Sequence, residues 1–168
     1  WKCAIAAPGV DIETCRAADS ELARLLSSTD HLPGEWRINL LTLDIETAVI
    51  SATFQNYEGS PLTSFGIAAD ANPIAATRSA IREALLSRFL LNRSSEAHIA
   101  ENLAPNFRTL RGHLLGHALS ERLRDAFLDL FGAAPTLAIA DIVGRFGAGA
   151  TPLRALTNAG LSALLVDV

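Results

Sequence analysis

Residues 11–27, DIETCRAADSELARLLS, place Ile12, Cys15, Ala18, Leu22, Leu25 and Leu26 at helical spacing, which predicts one amphipathic helix. Asp11 caps its start and Glu13 lies in its first turn, where a carboxylate meets the positive end of the helix dipole. After a His31-Leu-Pro-Gly34 turn the period changes. Trp36, Ile38 and Leu40 alternate with Arg37 and Asn39, so residues 36–44 read as a strand. Residues 47–56 follow as a second strand, rich in β-branched side chains, and a short turn at Glu46 makes the two an antiparallel hairpin. A turn over residues 57–61 leads to a third strand over residues 63–69. Asn72 and Pro73 are a favoured helix cap and first helical residue, and predict a helix running to about Asn92. Residues 93–108 read as irregular.

Residues 109–131 form a long amphipathic helical pattern ended by Gly132. Residues 136–147 carry no decisive period. Thr151 and Pro152 open a short helix that closes at Gly160, and residues 161–168 read as a final strand. Strands in succession followed by helices predict an α+β fold, a mostly antiparallel sheet covered by helices.

Composition narrows the class. The 168 residues are 49% hydrophobic and 19% charged, enough apolar surface for a folded core and too much for disorder. The net charge of −4 offers no general basic surface for nucleic acid, and no apolar run reaches the length of a membrane span. Cys3 and Cys15 fit no metal or redox spacing and read as ordinary thiols, so a cytoplasmic protein is expected. There is no methionine, and Lys2 is the sole lysine beside thirteen arginines.

The segment richest in chemistry is residues 64–88. A glycine-bearing strand end, Ser64-Phe-Gly66, runs through Asp70 into the capped helix. On that helix Ala76, Ala80, Ala84 and Ser87 make a stripe of small residues that allows another backbone to approach closely. Glu83 and Arg88 interrupt it. They are five residues apart, about 140° around a helix, so they do not pair with each other. A carboxylate and an arginine on neighbouring faces of a packed helix suit Mg2+ and phosphate, although a solvated glutamate and a surface arginine would look the same in sequence.

Other constellations are weaker. His113, His117 and Glu121 have the spacing of a zinc site but lack the glutamate of a His-Glu-x-x-His motif. Arg108, Arg111, Arg122 and Arg124 interleave with Glu121, Asp125 and Asp129, the pattern of a salt-bridged surface. Gly144, Gly147 and Gly149 are spaced in the reverse order of a dinucleotide fingerprint, and no Gly-x-Ser-x-Gly elbow is present.

The run GIAADANPIAATRSAIREALLSR over residues 66–88 resembles the late motif of YcaO-domain proteins. That motif is a Gly-rich strand end, an Asp-Pro-like turn and a helix of the form A-x-x-x-A-x-x-E-A-x-x-S-R, carried here by Ala76, Ala80, Glu83, Ala84, Ser87 and Arg88. The hairpin containing Leu41-Thr-Leu-Asp44 and Ala48-Val-Ile-Ser-Ala52, and the end from Leu153 through Ala159-Gly160 to Val166-Asp167, are similar to the family as well. The resemblance implies ATP and Mg2+ as cofactors and phosphorylation of a peptide backbone amide oxygen, giving azolines or, with an external sulfur source, thioamides. It implies Ser64, Gly66, Asp70, Glu83 and Arg88 as nucleotide-site residues, with Glu83 toward the metal. It also implies a peptide or leader peptide as partner, with room for a partner protein or self-association, and no nucleic acid or membrane. Departures accompany it. Ser64 replaces the first glycine of the Gly-x-Gly step, Ser79 an arginine and Leu86 a glutamine, while the Glu-x-x-Glu-Arg helix and the Pro-rich C-terminus of the family are absent. Residues 1–168 are therefore expected to be a single, partial YcaO-like domain, with a catalytically inactive peptide- or partner-binding module as the alternative.

Overall fold

The computed structural model describes residues 7–41, 47–58, 61–92 and 135–146, together with Asp125. Its elements run β1 (Gly9–Val10), α1 (Ile12–Ala18), α2 (Ser20–Ser27), β2 (Gly34–Leu40), β3 (Ala48–Asn56), β4 (Thr63–Asp70), α3 (Pro73–Asn92), β5 (Thr136–Leu137) and α4 (Ile139–Phe146). The strands form one sheet in the order β4-β3-β2-β1-β5. The pairings β1–β2, β2–β3 and β3–β4 are antiparallel and β1–β5 is parallel. This is the expected α+β class.

The hairpin register explains the alternation. Trp36, Ile38 and Leu40 lie opposite Phe54, Ala52 and Ile50, and all six are buried. They form one core with Leu22, Leu25 and Leu26 of α2, Ala76, Ala80, Ile81 and Ala84 of α3, and Ile139, Ile142 and Phe146 of α4. Trp36 meets Phe54 edge-on at 5.2 Å between ring centroids, and its indole N–H donates to Thr29 Oγ1 at 2.8 Å. The alternate residues of the hairpin, Arg37 and Asn39 with Ser51 and Thr53, occupy the other face of the sheet.

Three expectations change. The single helix over residues 11–27 is two helices, because Asp19 has extended backbone (φ −153°, ψ 127°) and its carboxylate accepts from Leu22 N at 2.9 Å, capping α2. Asp11 caps α1 in the same way through Thr14 N at 2.8 Å. The first strand is shifted, covering residues 34–40. The undecided stretch from residue 136 opens with β5, whose register is Gly9↔Thr136 and Val10↔Leu137, and Gly144 lies inside α4. Strands of two residues have no period to read. The helix predicted from Pro73 to Asn92 has those limits.

Cys15 is free and buried, and burial pushes its thiol up to about 12. No described helix is long and apolar enough to cross a membrane. Cys3, Asp44, the helix expected over residues 109–131 with its histidines and arginines (Asp125 excepted), Gly147 and Gly149, and the elements expected from Thr151 onward lie outside the described residues.

Candidate functional site

Antiparallel pairing decides which way the groups of β4 point. Ser64, Gly66, Ala68 and Asp70 lie opposite Phe54, Ala52, Ile50 and Ala48 of β3, on the face that carries the core and α3. Leu62 O accepts from Asn56 N at 2.9 Å, so the hydrogen-bonded partners on β4 are the even-numbered residues. The amides of the odd-numbered residues point away from β3, and β4 is the outer strand of the described sheet. Ile67 N–H takes its partner from the helix, donating to Glu83 Oε2 at 3.0 Å.

The strand then turns back through two local hydrogen bonds. Asp70 Oδ1 accepts from Asn72 N at 2.7 Å, and Asn72 Oδ1 accepts from Ile74 N at 2.9 Å. The second is the cap expected from Asn-Pro, and Pro73 fills the first helical position where no N–H is required. Returning along β4, α3 lays its small-residue stripe on the strand. Ala76, Ala80 and Ala84 have no exposed surface. A Cβ added at Gly66 would fall against the Ala80 carbonyl oxygen and lie 2.6 Å from both Ala84 N and Glu83 Cβ. Gly66 and the alanines thus meet backbone to backbone, the close approach that the stripe predicts.

About two strand residues back from Gly66, and one helical turn further along α3, lie Ser64, Ser87 and Arg88. The Arg88 guanidinium stacks on the Phe54 ring, 5.1 Å from its centroid, and Phe54 is the cross-strand neighbour of Ser64. Ser64 Oγ, Ser87 Oγ and one terminal nitrogen of Arg88 are buried and have no hydrogen-bond partner. Burial also holds the Arg88 pKa below its ordinary value. Net loss of hydration without a paired carboxylate is costly for an arginine.

The five residues singled out in sequence therefore fall into three places. Gly66 and Glu83 meet at the middle of the strand–helix pair. Ser64 and Arg88 share the surroundings of Phe54. Asp70 stands at the other end of β4, six residues from Ser64, roughly 20 Å along an extended chain. Among the described residues no three metal-ligating side chains gather into a cluster. Glu83 alone is compatible with Mg2+, which binds through one or two carboxylates and fills its remaining positions with phosphate oxygens and water. The unpartnered Ser64 and Arg88 groups fit a phosphate. Sequence reasoning passed over Phe54 and Ser87 as site residues. The signal for Phe54 was its place in the hairpin alternation, and for Ser87 its place at the end of the small-residue stripe.

A two-layer α+β domain with a strand–turn–helix site of this kind belongs to a recognisable class. The entire chain, residues 1–168, matches the profile of the family described as YcaO cyclodehydratase, ATP- and Mg2+-binding, and the protein belongs to the YcaO family. No curated protein matches by sequence. Among solved structures, YcaO from Methanopyrus kandleri bound with AMPPCP and Mg2+ superposes with a TM-score of 0.54 and 20% identity over 82% of this chain and 31% of that one. A heterocyclase in complex with substrate and cofactor gives 0.53 and 17% over 80% of this chain and 17% of the other. The Escherichia coli microcin synthetase McbBCD complex with pro-MccB17 bound gives 0.50 and 16% over 81% and 33%. The likeness establishes the shared fold, and this chain spans a third or less of the length of each of these proteins.

Proposed function

We propose that the 168 residues are part of a YcaO domain in an ATP- and Mg2+-dependent enzyme that activates backbone amides of a ribosomally made peptide, leading to azolines or thioamides. The observation that carries this reading is the family match across the entire chain, including the strand–turn–helix segment with its unpartnered Ser64 and Arg88 groups. An amide oxygen is a poor leaving group, and phosphorylation turns it into a good one at the cost of charge that a cation must neutralise. ATP supplies the phosphoryl group when bound. Ser64 and Arg88 are the residues suited to its phosphate oxygens and Glu83 the one suited to Mg2+. Gly66 permits the close packing that lays Glu83 and Arg88 of α3 along β4, and Asp70 fixes the turn that begins the helix.

Under this reading the partner is a peptide substrate or its leader, a partner protein can complete the enzyme, and the reaction belongs in the cytoplasm. Self-association is in keeping with the apolar content, and neither nucleic acid nor membrane is a partner. The absence of a Glu-x-x-Glu-Arg segment favours completion of the nucleotide site by residues outside this chain, or the second reading, an inactive module that binds peptide. Phosphate release from ATP–Mg2+ by the complete protein containing this chain, with and without a peptide rich in Cys, Ser and Thr, tests both. Peptide-stimulated release lost in Glu83→Gln and Arg88→Ala is the expected result. Unchanged release in both variants removes the site assignment, and peptide binding with no ATP binding establishes the inactive module.

A further inference from the structure

Among the described residues the ion pairs are shared out unevenly. Arg16 of α1 has two carboxylates, Glu13 at 3.6 Å and Asp30 at 2.8 Å, and Arg37 of β2 pairs one to one with Glu35 at 2.9 Å. At the seam between α2 and α3 the ratio reverses. Three arginines share the single carboxylate of Glu21. Arg24 lies 3.5 Å from Oε1, Arg78 donates to Oε2 at 3.0 Å, and Arg82 donates to Oε1. No second described carboxylate pairs with any of the three. The acids next to them in sequence are engaged elsewhere, Asp19 on the Leu22 amide and Glu83 on the Ile67 amide. Three guanidinium groups on one carboxylate leave two positive charges at the seam, in a chain whose net charge is −4.

We propose that Arg24, Arg78 and Arg82 form a docking surface for an acidic stretch of a peptide. The proposal rests on the reading that a peptide is bound, and adds which surface holds it and through what chemistry. Each of the three reaches Glu21 through one terminal nitrogen. An arginine carries five N–H donors, so most of them are left for another acceptor. Arg24 is 72% exposed and Arg82 55%, which puts those donors within reach of a partner. Arg78 and Arg82 are four residues apart on α3, where like charges repel, and one shared glutamate offsets this only in part. The spacing suits a chain more than a small ion. Four helical residues rise about 6 Å, close to the ~6.6 Å between alternate side chains of an extended peptide. Successive carboxylates on one side of such a peptide can therefore meet successive arginines. Arginine clusters recognise acidic motifs because the guanidinium fork matches a carboxylate edge to edge. Arg82 turns toward α2 while Glu83, the next residue, turns toward β4, so docking at the seam leaves the β4 side of α3 free.

The test follows the fluorescence anisotropy of labelled octaglutamate, octaglutamine and octalysine, and of an oligothymidylate of the same length, with the 168-residue chain. Octaglutamate is expected to bind, more weakly as salt rises, and octaglutamine and octalysine are not. Arg24→Gln and Arg82→Gln should each weaken binding about two- to fivefold, the range of an exposed ion pair, and the double variant about tenfold. Arg37→Gln, which removes an exposed arginine from β2, should change nothing. Glu21→Gln carries the opposite sign. It frees the donors that the carboxylate occupies and should tighten octaglutamate binding by about two- to fivefold. Circular dichroism separates lost binding from lost folding, and Arg24→Gln, the most exposed of the three, keeps the test open if Arg82→Gln fails to fold. No binding by the folded wild type, equal binding by the arginine variants, or weaker binding by Glu21→Gln overturns the surface. Oligothymidylate bound more tightly than octaglutamate overturns the acidic peptide as its partner. Failure of the surface in a protein that still releases phosphate in response to peptide overturns the surface alone. Octaglutamate binding through the arginines, with no peptide-stimulated phosphate release by the complete protein, sustains the surface and removes the ATP-dependent reading.

Discussion

Two stretches of the same strand–helix pair treat their polar groups in opposite ways. Around Gly66 every feature is answered within the chain. The outward amide of Ile67 has Glu83, the turn has Asp70 and Asn72, and the missing Cβ of Gly66 is matched by alanine on α3. One turn further along, at Ser64, Ser87 and Arg88, two hydroxyls and one terminal guanidinium nitrogen are buried with no hydrogen-bond partner. Folding accounts for the first stretch by itself. It does not account for the second, where a buried idle serine hydroxyl lowers stability relative to alanine and the arginine gains nothing over methionine unless something else binds. The contrast separates residues that hold a site from residues that use it, although all of them belong to one sequence motif.

The contrast is broken most forcefully at Gly66. In Gly66→Ala the new methyl meets backbone atoms of Ala80 and Ala84, which cannot move without shifting the helix. Urea denaturation should show a loss at or above the upper end of the roughly 1–3 kcal/mol typical of overpacking. A loss below about 0.5 kcal/mol would mean that β4 and α3 are not in close contact. Glu83 gives a smaller and more discriminating effect. Glu83→Ala leaves the Ile67 amide to water at an exposed edge and should cost about 0.5–1.5 kcal/mol. Glu83→Gln keeps an acceptor oxygen and should retain most of that stability, so any activity it loses reports charge and metal rather than structure.

The open stretch should respond with the other sign. In Ser64→Ala an unsatisfied buried hydroxyl is removed with little change of shape, and stability in the absence of ligand should stay level or rise by up to about 1 kcal/mol. Arg88→Met exchanges a desolvated cation for an apolar chain of similar reach. It forfeits the stacking on Phe54, of about 0.5–2 kcal/mol, and relieves the unpaired charge, so the two nearly cancel. A marked destabilisation in either variant would show that these groups already have partners in the folded chain, and would close the difference between the two stretches.

Much of this arrangement was legible in the residues. The Asn72-Pro73 cap, the limits of α3 and the close approach of its alanine stripe follow from local chemistry that acts within a few residues. The hairpin face that buries Trp36, Ile38 and Leu40 follows from alternation. The break at Asp19 did not show, because an aspartate between two apolar stripes of matching phase reads as one more solvent-facing position of a continuous helix. Strands β1 and β5 depend on each other across more than a hundred residues and have no pattern of their own. The division of the site was hidden for a similar reason. Ser64 and Ser87 are ordinary residues in sequence, and their lack of partners exists only once β4 and α3 are laid together. Glu83 looked like a metal ligand by family resemblance, and its bond to the Ile67 amide depends on which strand lies at the edge.

The smallest expected effect concerns the other anchor of α3. Arg78 and Arg82, in the same half of the helix as the closed stretch, both bond to Glu21 of α2, Arg78 at 3.0 Å. Hydrogen bonds from Arg78 and then Arg82 hold the Glu21 carboxyl below the usual glutamate range, against a weaker opposing pull from burial. A carboxylate with a lowered folded pKa binds fewer protons than its unfolded counterpart at the same pH. Its contribution is therefore fully present above the unfolded value of about 4.3 and is lost as pH falls through the lower folded value. Glu21 is 28% exposed, so salt screens the pairs and the effect is small. Between pH 5 and pH 3, wild type should lose slightly more Tm than Glu21→Gln, and the gap should narrow in high salt. If the two lose Tm in parallel, Glu21 does not bind α3 to α2, and the closed stretch is held by the packing of Gly66 and its alanines alone.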